Sequence, residues 1–436
     1  MPFPFQITAA KWMASKETCL LADEMRVGKT PAAIRSCDLI GAENILVICP
    51  ANGRINWARE FQRFSPLDRL TQVVMPGDKP RTFGIVIVSY DMSVTYASVL
   101  KSARWDVLIG DEIHRCKERT SQRTKALYGA NKRSPGIISS ANKIWRLSGS
   151  PCPKDVSELW THLHSAGLAP ESYWDFTFHF TTGFESTFGY QITGTKNEDE
   201  LKARLSGFML RRTLAEVMPD LPPIVFETVT VPRSEACLSS EFHEYFTQLT
   251  QVDYELQVAL ANVGPDKQIS ILESTATSSA TLRRYVLACK LPAIAEQLEI
   301  DLESGVDKIA LFCVHKLGVE WMAERLKKYG PVVLYGETPV KLRQPAIDRF
   351  REDKTCRVFI GNIQAAGEVI DLTPCSELVF LECSWVPGEN AQAAMRLRGI
   401  NQKWPVRART FALFNSVDER VAEVLTRRTK ELLKIL

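Results

Sequence analysis

LLADEMRVGKT, residues Leu20–Thr30, closes with the Gly-Lys-Thr of a phosphate-binding loop but opens without that loop's first glycine. The usual pattern is G-x-x-x-x-G-K-[ST], in which backbone amides close around phosphate oxygens. Here Asp23 stands at the first glycine position and Arg26 lies two residues before Gly28. The flanks supply the context such a loop needs. TCLLAD reads as a short buried strand and TPAAIRSCDLI as a helix, so EMRVGKT occupies a strand-to-helix turn. At that turn the amides of a helix N-terminus face an anion.

Similar apolar runs recur outward from this turn. NILVICP, GIVIVSY, DVLIGDE and IWRLSGS follow in the first half, and KIALFCVH, PVVLYG, RVFIGN, ELVFLE and RTFALF occupy the second. Short runs rich in Val, Ile and Leu, separated by helical segments, predict parallel strands covered on both faces. The series occurs twice. Between the two, residues 155–203 are aromatic and irregular, PDLPPIVFETVTVP reads as a linker, and residues 241–303 read as helices. The 436 residues exceed one ordinary hydrophobic core and suit two domains. The expectation is an α/β chain whose first lobe spans 1–224 and whose second spans 225–436, with a helical segment at 236–303 near their junction.

Composition narrows the class. Hydrophobic residues make up 45% and charged residues 24%, as in a folded soluble protein, while a net charge of +3 leaves any polyanion partner to be argued from local clusters. The eleven cysteines show no C-x-x-C pair, and several lie in apolar runs, so free buried thiols in a reducing compartment are expected. MPFPFQITAA lacks the basic start and apolar core of a signal peptide, and no apolar run approaches the ~18 residues of a membrane helix.

Two pieces carry chemistry. Lys29 is placed to reach β- and γ-phosphates and the Thr30 hydroxyl to hold Mg²⁺, with Gly28 allowing close backbone approach. DVLIGDEIHRCK ends a strand in two adjacent carboxylates, Asp111 and Glu112. ATP hydrolysis uses one acid to hold the cation and another to orient or deprotonate water, and Asp111 and Glu112 suit these roles in that order.

With these residues in view, ADEMRVGKT, DEIH and LSGSP resemble motifs I, II and III of helicase superfamily 2, and specifically the DNA-translocating ATPases of the Swi/Snf family. That family usually reads A-D-E-M-G-x-G-K-T, so Asp23 matches it and Arg26 departs from it. The resemblance continues in order. FQ at Phe5–Gln6 is similar to the adenine-reading glutamine motif; ILVICPANGRINWAREF, with Arg54, resembles motif Ia; IVSYDM, with Ser89 and Tyr90, resembles the next DNA-contacting motif. GFMLRRTLAEVMPDLPP, with Arg212, resembles the segment that ends the first lobe and braces it against the second. KIALFCVHK, with His315 and Lys316, resembles motif IV; IGNIQAAGEVIDLT, with Asn362, Gly367 and Asp371, resembles motif V; QAAMRLRGINQ resembles motif VI. The compact spacing is similar to the annealing-helicase (HepA-related) branch.

The resemblance implies two tandem RecA-like lobes, ATP and Mg²⁺ as ligands, and duplex DNA as partner of a monomer. It implies that Gln6, Asp23, Gly28, Lys29, Thr30, Gly367 and Asp371 bind nucleotide. Arg54, Ser89, Tyr90, Arg212, His315, Lys316 and Asn362 are the corresponding DNA contacts. Motif VI departs from R-x-x-R: Arg396 matches the first arginine, but Gly399 holds the second position with Arg398 beside it. Neighbours on a helix point about 100° apart, so Arg396 is the expected finger and Arg398 an open question.

Basic clusters at His114–Lys125, Arg211–Arg212 and His315–Lys316 suit sequence-independent phosphate contacts, and equally a solvated charged face. The aromatic stretch Tyr173–Phe180 is expected to pack rather than stack on bases. Beside duplex translocation stand two alternatives: a strand-separating or strand-annealing helicase, and a catalytically impaired DNA-binding protein, the latter suggested by Arg26, by Val369 where the resembled family carries a motif V glycine, and by Arg398–Gly399. The chain reads as a minimal engine with no room for targeting, chromatin-reading or nuclease domains. Its expected place is the cytoplasm of a bacterium or phage-infected cell, or the nucleus if eukaryotic.

Overall fold

A computed structural model describes residues 3–435, apart from 52, 132, 153–154, 187–188, 235–245, 265–266, 269–270, 273–274, 276–278, 337, 364–369 and 400–401. The chain divides into two compact units, Met1–Pro219 and Asp220–Leu436.

In the first unit, helix α1 (Pro4–Ala14) precedes strand β1 (Thr18–Leu21), helix α2 (Lys29–Leu39), β2 (Ile45–Cys49), α3 (Gly53–Phe64), β3 (Thr71–Val73), β4 (Ile85–Ser89), α4 (Tyr90–Thr95) and β5 (Trp105–Asp111). A small hairpin, β6 (Gly129–Asn131) and β7 (Ser134–Pro135), leads to β8 (Ala141–Leu147); a second hairpin, β9 (Thr181–Ser186) and β10 (Gly189–Thr195), precedes the short β11 (Met209–Leu210). Among the described residues a seven-stranded sheet runs β11-β1-β8-β5-β2-β4-β3 with parallel neighbours throughout.

The continuous apolar runs now have a cause. Successive strand residues point to opposite faces, and both faces are covered. Leu46, Ile48, Val86, Val88 and Leu108 enter one core, while Ile45, Val47, Ile85, Ile87, Val107 and Ile109 enter the other. Every position of β2 and β4 is buried, so polar alternation is absent from them.

The second unit repeats the plan. Strands β12 (Ile224–Val231), β13 (Ile309–Cys313), β14 (Val332–Leu334), β15 (Val358–Asn362), β16 (Glu377–Phe380) and β17 (Val406–Leu413) form a parallel sheet of order β12-β17-β16-β13-β15-β14. Ala310 and Phe312 pack to one side, Ile309, Leu311 and Cys313 to the other. Both units are therefore α/β with parallel sheets, as the recurring runs predict.

Two sequence expectations need correction, and a third element went unread. The stretch read as a linker contains β12, which pairs with β17 along its whole length, from Ile224↔Val406 to Val231↔Leu413. As an edge strand it is exposed at every second or third position, and its Glu and Thr residues hid it. Second, the region read as irregular folds into helices at Trp160–His164, Tyr173–Phe180 and Glu198–Leu205 around the β9–β10 hairpin. Third, β11 is a two-residue strand that no periodicity could reveal; the parallel neighbour β1 defines it.

A buried ion pair fastens the second unit. Lys290, 2% exposed on the helix Ala280–Glu303, donates to the Phe411 carbonyl and to Asp418, both at 2.7 Å. Asp418 also accepts from the Leu413 amide at 2.9 Å. Removing one partner strands the other charge, at a cost of about 3 kcal/mol, whereas replacing both with apolar groups is far cheaper. Denaturant unfolding should show Asp418→Ala destabilising the second unit by about that amount, and Lys290→Met/Asp418→Ala recovering much of the loss.

Candidate functional site

The phosphate-loop turn is built where β1 ends. Gly28 caps α2 with φ of 94°, a left-handed conformation that glycine adopts without penalty. A side chain there would also run into the Gln6 amide. That amide accepts from the Phe3 N–H at 2.9 Å and donates to the Val27 carbonyl at 3.4 Å, so Gln6 is pinned against the loop. Arg26 is left-handed as well, with φ of 71°. This explains physically why a glycine is at home at that position, and why an arginine there carries backbone strain of about 1 kcal/mol.

Lys29 opens α2, and its ammonium donates to the carbonyls of Asp23 at 2.8 Å and Glu24 at 3.2 Å. Burial lowers its pKa; Glu112, Asp23 and Asp111 work against that shift. Thr30 follows in the first turn of α2.

The two carboxylates stand at the C-terminal end of β5. The Asp111 Oδ2 accepts from the Trp57 indole at 2.8 Å and its Oδ1 from the Glu112 amide at 3.0 Å, while its carbonyl accepts from the Tyr90 hydroxyl at 2.6 Å. Burial first, and then the neighbouring Glu112 charge, push the Asp111 carboxyl up to about 7. Glu112 itself is left-handed, with φ of 51°, which turns its side chain away from the strand direction. A buried carboxyl beside a second acid is a donor that a hard divalent cation relieves, so Asp111 fits Mg²⁺.

Motif III closes on both. His114 Nδ1 lies 3.3 Å from Glu112 and 3.0 Å from the Ser148 hydroxyl, which accepts from the Ser150 amide at 3.2 Å. Burial holds His114 below the usual imidazole range, so it is neutral at pH 7. The Ser148 amide donates to the Leu21 carbonyl at 3.2 Å, and a Cβ on Gly149 would meet Met25 at 2.9 Å and the Lys29 ammonium at 3.4 Å. Trp57, His114 and Ser148 stand in motifs quoted from the sequence, which gave none of them a role at the carboxylates. Only their proximity in space to Asp111 and Glu112 identifies them.

Several residues expected to contact ligand are bonded within the protein. Asp23, 1% exposed, forms a two-pronged pair with Arg212, which also donates to the Phe5 carbonyl at 2.8 Å. Glu24 accepts from the Leu214 amide at 2.5 Å, and Arg211 donates to the carbonyls of Ala22 at 3.2 Å and Gly149 at 3.4 Å. The Arg211–Arg212 segment is thus laced to motif I inside the first unit, and neither Asp23 nor Arg212 is presented outward. Arg54 is buried and donates to the Ala51 and Val74 carbonyls and to the Met92 sulfur. Ser89 is buried and caps α4 through the Met92 amide, and Tyr90 is turned inward to Asp111.

In the second unit, His315 is drawn into a buried cluster: its Nδ1 lies 2.8 Å from Glu382, which also pairs with Arg283 at 2.9 Å. Burial pushes Glu382 up, but His315 and Arg283 outweigh it and hold the carboxyl below its ordinary range. Lys316 remains well exposed at the start of the helix Lys316–Arg325, 3.5 Å from Glu320. Asn362 donates to the Val314 carbonyl at 2.5 Å. Asp371 accepts from the Thr373 hydroxyl at 3.0 Å and lies 3.6 Å from Arg351. Gly367 is outside the described residues.

Motif VI differs from the helical picture. The helix Pro387–Met395 ends before the arginines, with Arg396 as its C-cap, so the 100° argument does not govern Arg398. A Cβ on Gly399 would meet the Thr373 methyl at 2.9 Å, so a side chain there would require Thr373 to shift. Gln402, buried, fixes the turn by donating to the carbonyls of Thr373, Cys375 and Leu397 at 3.2, 2.9 and 3.0 Å. Both arginines are half-buried.

The lacing of motif I generates a stability prediction. Arg212→Ala leaves the Asp23 carboxylate buried without its partner and should cost the first unit about 3 kcal/mol, read by denaturant unfolding. Were Arg212 a surface contact, the same change would leave unfolding within about 0.5 kcal/mol of wild type.

Comparison with known proteins agrees with this assembly. Residues 5–285 match the SNF2-related domain model and residues 289–399 the helicase conserved C-terminal domain model. A Drosophila melanogaster SWI/SNF-related matrix-associated actin-dependent regulator of chromatin subfamily A-like protein 1 is 26% identical over 97% of this chain and 54% of its own length. The mouse DNA annealing helicase and endonuclease ZRANB3 is 24% identical over 94% of this chain and 38% of its own length. The Sulfolobus solfataricus SWI2/SNF2 ATPase core in complex with double-stranded DNA aligns with 99% of the chain at 20% identity and a TM-score of 0.44. The chain spans about half the length, or less, of these curated relatives. With motifs I, II and III drawn together around Lys29, Asp111 and Glu112, and the family model covering most of the sequence, the chain belongs to the SNF2-related family of superfamily 2 ATPases.

Proposed function

We propose that this chain is a DNA-dependent ATPase that couples hydrolysis to movement along duplex DNA, remodelling DNA or protein–DNA complexes. The observation that carries the reading is the convergence of Lys29, Asp111, Glu112 and motif III at one set of strand ends. Phosphoryl transfer needs little covalent chemistry from a protein; positioning and charge stabilisation do most of it.

In this reading Lys29 exchanges its two loop carbonyls for β- and γ-phosphate oxygens, and the amides at Gly28–Thr30 cradle the phosphates. Mg²⁺ held by Thr30 and Asp111 would neutralise phosphate charge. Glu112 orients the attacking water and accepts its proton, with neutral His114 keeping the carboxylate linked to Ser148. Arg396, joined by Arg398, is the second unit's source of positive charge for the transferred phosphoryl group. Gln6 adds an adenine contact from beside the loop, and Gly367 and Asp371 complete the nucleotide residues. Lys316 and Asn362 are the DNA contacts we retain, and duplex DNA is the partner, engaged through phosphates and hence salt-sensitive.

A strand-annealing activity is the second reading, favoured by the likeness to a protein named a DNA annealing helicase. Strand displacement and annealing assays on forked and tailed duplexes separate it from simple tracking. The reducing interior of a bacterial or phage-infected cell is the proposed setting, in keeping with ten free cysteines among the described residues.

ATP turnover should rise on adding duplex DNA and the rise should weaken with salt. Lys29→Ala and Glu112→Gln should each lower turnover by about a hundredfold or more, as measured by phosphate release. Turnover that is equal with and without DNA contradicts the translocase reading, and no turnover in the wild type supports the impaired DNA-binding alternative.

A further inference from the structure

Trp57 and Tyr90 belong to the two segments expected to touch DNA, yet both send their polar atoms to Asp111. Trp57, on α3, donates to the carboxylate at 2.8 Å; Tyr90, the first residue of α4, donates to the carbonyl at 2.6 Å. The two helices leave the ends of adjacent strands, β2 and β4, and β2 pairs in turn with β5, which carries Asp111. They are also tied to each other, because Arg54 of α3 bonds to the Met92 sulfur of α4. A shift of either helix therefore moves a donor on Asp111.

The outer side of α4 meets an open cleft of about 430 Å³, lined by Asp91, Val94, Arg115, Ser121, Gln122 and Arg123. Arg123 pairs with Asp91 at 2.7 Å, and both side chains are exposed. A phosphate oxygen entering this cleft would compete with Asp91 for Arg123, as anions do for guanidinium groups. Asp91 and Tyr90 are consecutive residues, one facing the cleft and the other facing Asp111.

We propose that α3 and α4 relay polynucleotide binding to the hydrolytic centre, with phosphate taken up in the Arg115–Arg123 cleft and Tyr90 and Trp57 acting as positioning residues on Asp111. The relay rests on the DNA-dependent reading above. It assigns DNA stimulation of turnover to two hydrogen bonds rather than to residues that touch DNA.

Trp57→Phe and Tyr90→Phe keep the rings and remove one donor each; Arg123→Ala removes the cleft cation. Steady-state ATPase assays with linear duplex DNA are paired with equilibrium duplex binding, after thermal melts establish that each variant is folded. The Phe variants should lose about tenfold in kcat at saturating duplex, the cost of one charge-assisted hydrogen bond or its equivalent at the strand end, with duplex Kd and ATP KM within about twofold of wild type. Arg123→Ala should weaken duplex binding several-fold and lower the stimulated kcat with it, because it removes the group through which phosphate acts on α4. Folded Phe variants with full stimulated kcat, or with weakened duplex binding in place of a kcat loss, overturn the relay. A wild type that duplex DNA does not stimulate overturns the function itself, and is seen before any variant is compared.

Discussion

Two neighbouring carboxylates at the end of β5 impose the main constraint on the first unit. Burial makes ionisation of Asp111 costly and the neighbouring Glu112 charge adds to the cost, so that Asp111 is pushed up to about 7. A pair of this kind persists only if donors and cations surround it. The fold supplies Trp57 from α3, Tyr90 from α4, the Glu112 amide, and Lys29 from the opposite side. The order of the sheet follows the same need, since β2 pairs with β5 and β4 pairs with β2. The residues that brace Asp111 are therefore brought in by strand order, from segments 21 and 54 residues away in sequence.

Motif I is held from behind by the end of the first unit. Asp23 is consumed by Arg212, Glu24 by the Leu214 amide, and the backbone of β1 by β11. A loop that holds Arg26 in a left-handed conformation is strained there and needs such anchoring. The anchoring also explains why the acidic Asp-Glu pair can precede the loop without repelling phosphate. Asp23 is neutralised by a guanidinium, and Glu24 points at a backbone donor.

The second unit uses buried charge in the same structural manner. Glu382 gathers His315 and Arg283, Lys290 gathers Asp418 and a strand carbonyl, and Arg409 lies between Asp301 and Glu377. These pairs tie the helix Ala280–Glu303 to the strands and the segments that follow them. Gln402 does the equivalent work with a neutral side chain, gathering three carbonyls in the turn beyond Arg396.

Sequence by itself determined the two parallel sheets, because runs such as ILVIC and IVIVS have no polar positions and must be covered on both faces. It also placed Gly28 and Lys29 at a strand-to-helix turn and Asp111 and Glu112 at a strand end, where the structure has them. It did not reveal β12, whose exposed edge needs threonine and glutamate, nor β11, which exists only because β1 lies beside it. The tasks of Asp23, Arg54, Tyr90, Arg212 and His315 were decided by tertiary structure alone. Each is polar, and a polar side chain near a ligand-binding motif reads as a ligand contact until its partner is known. Those partners lie tens to hundreds of residues away, and only the folded sheets bring them within hydrogen-bonding distance.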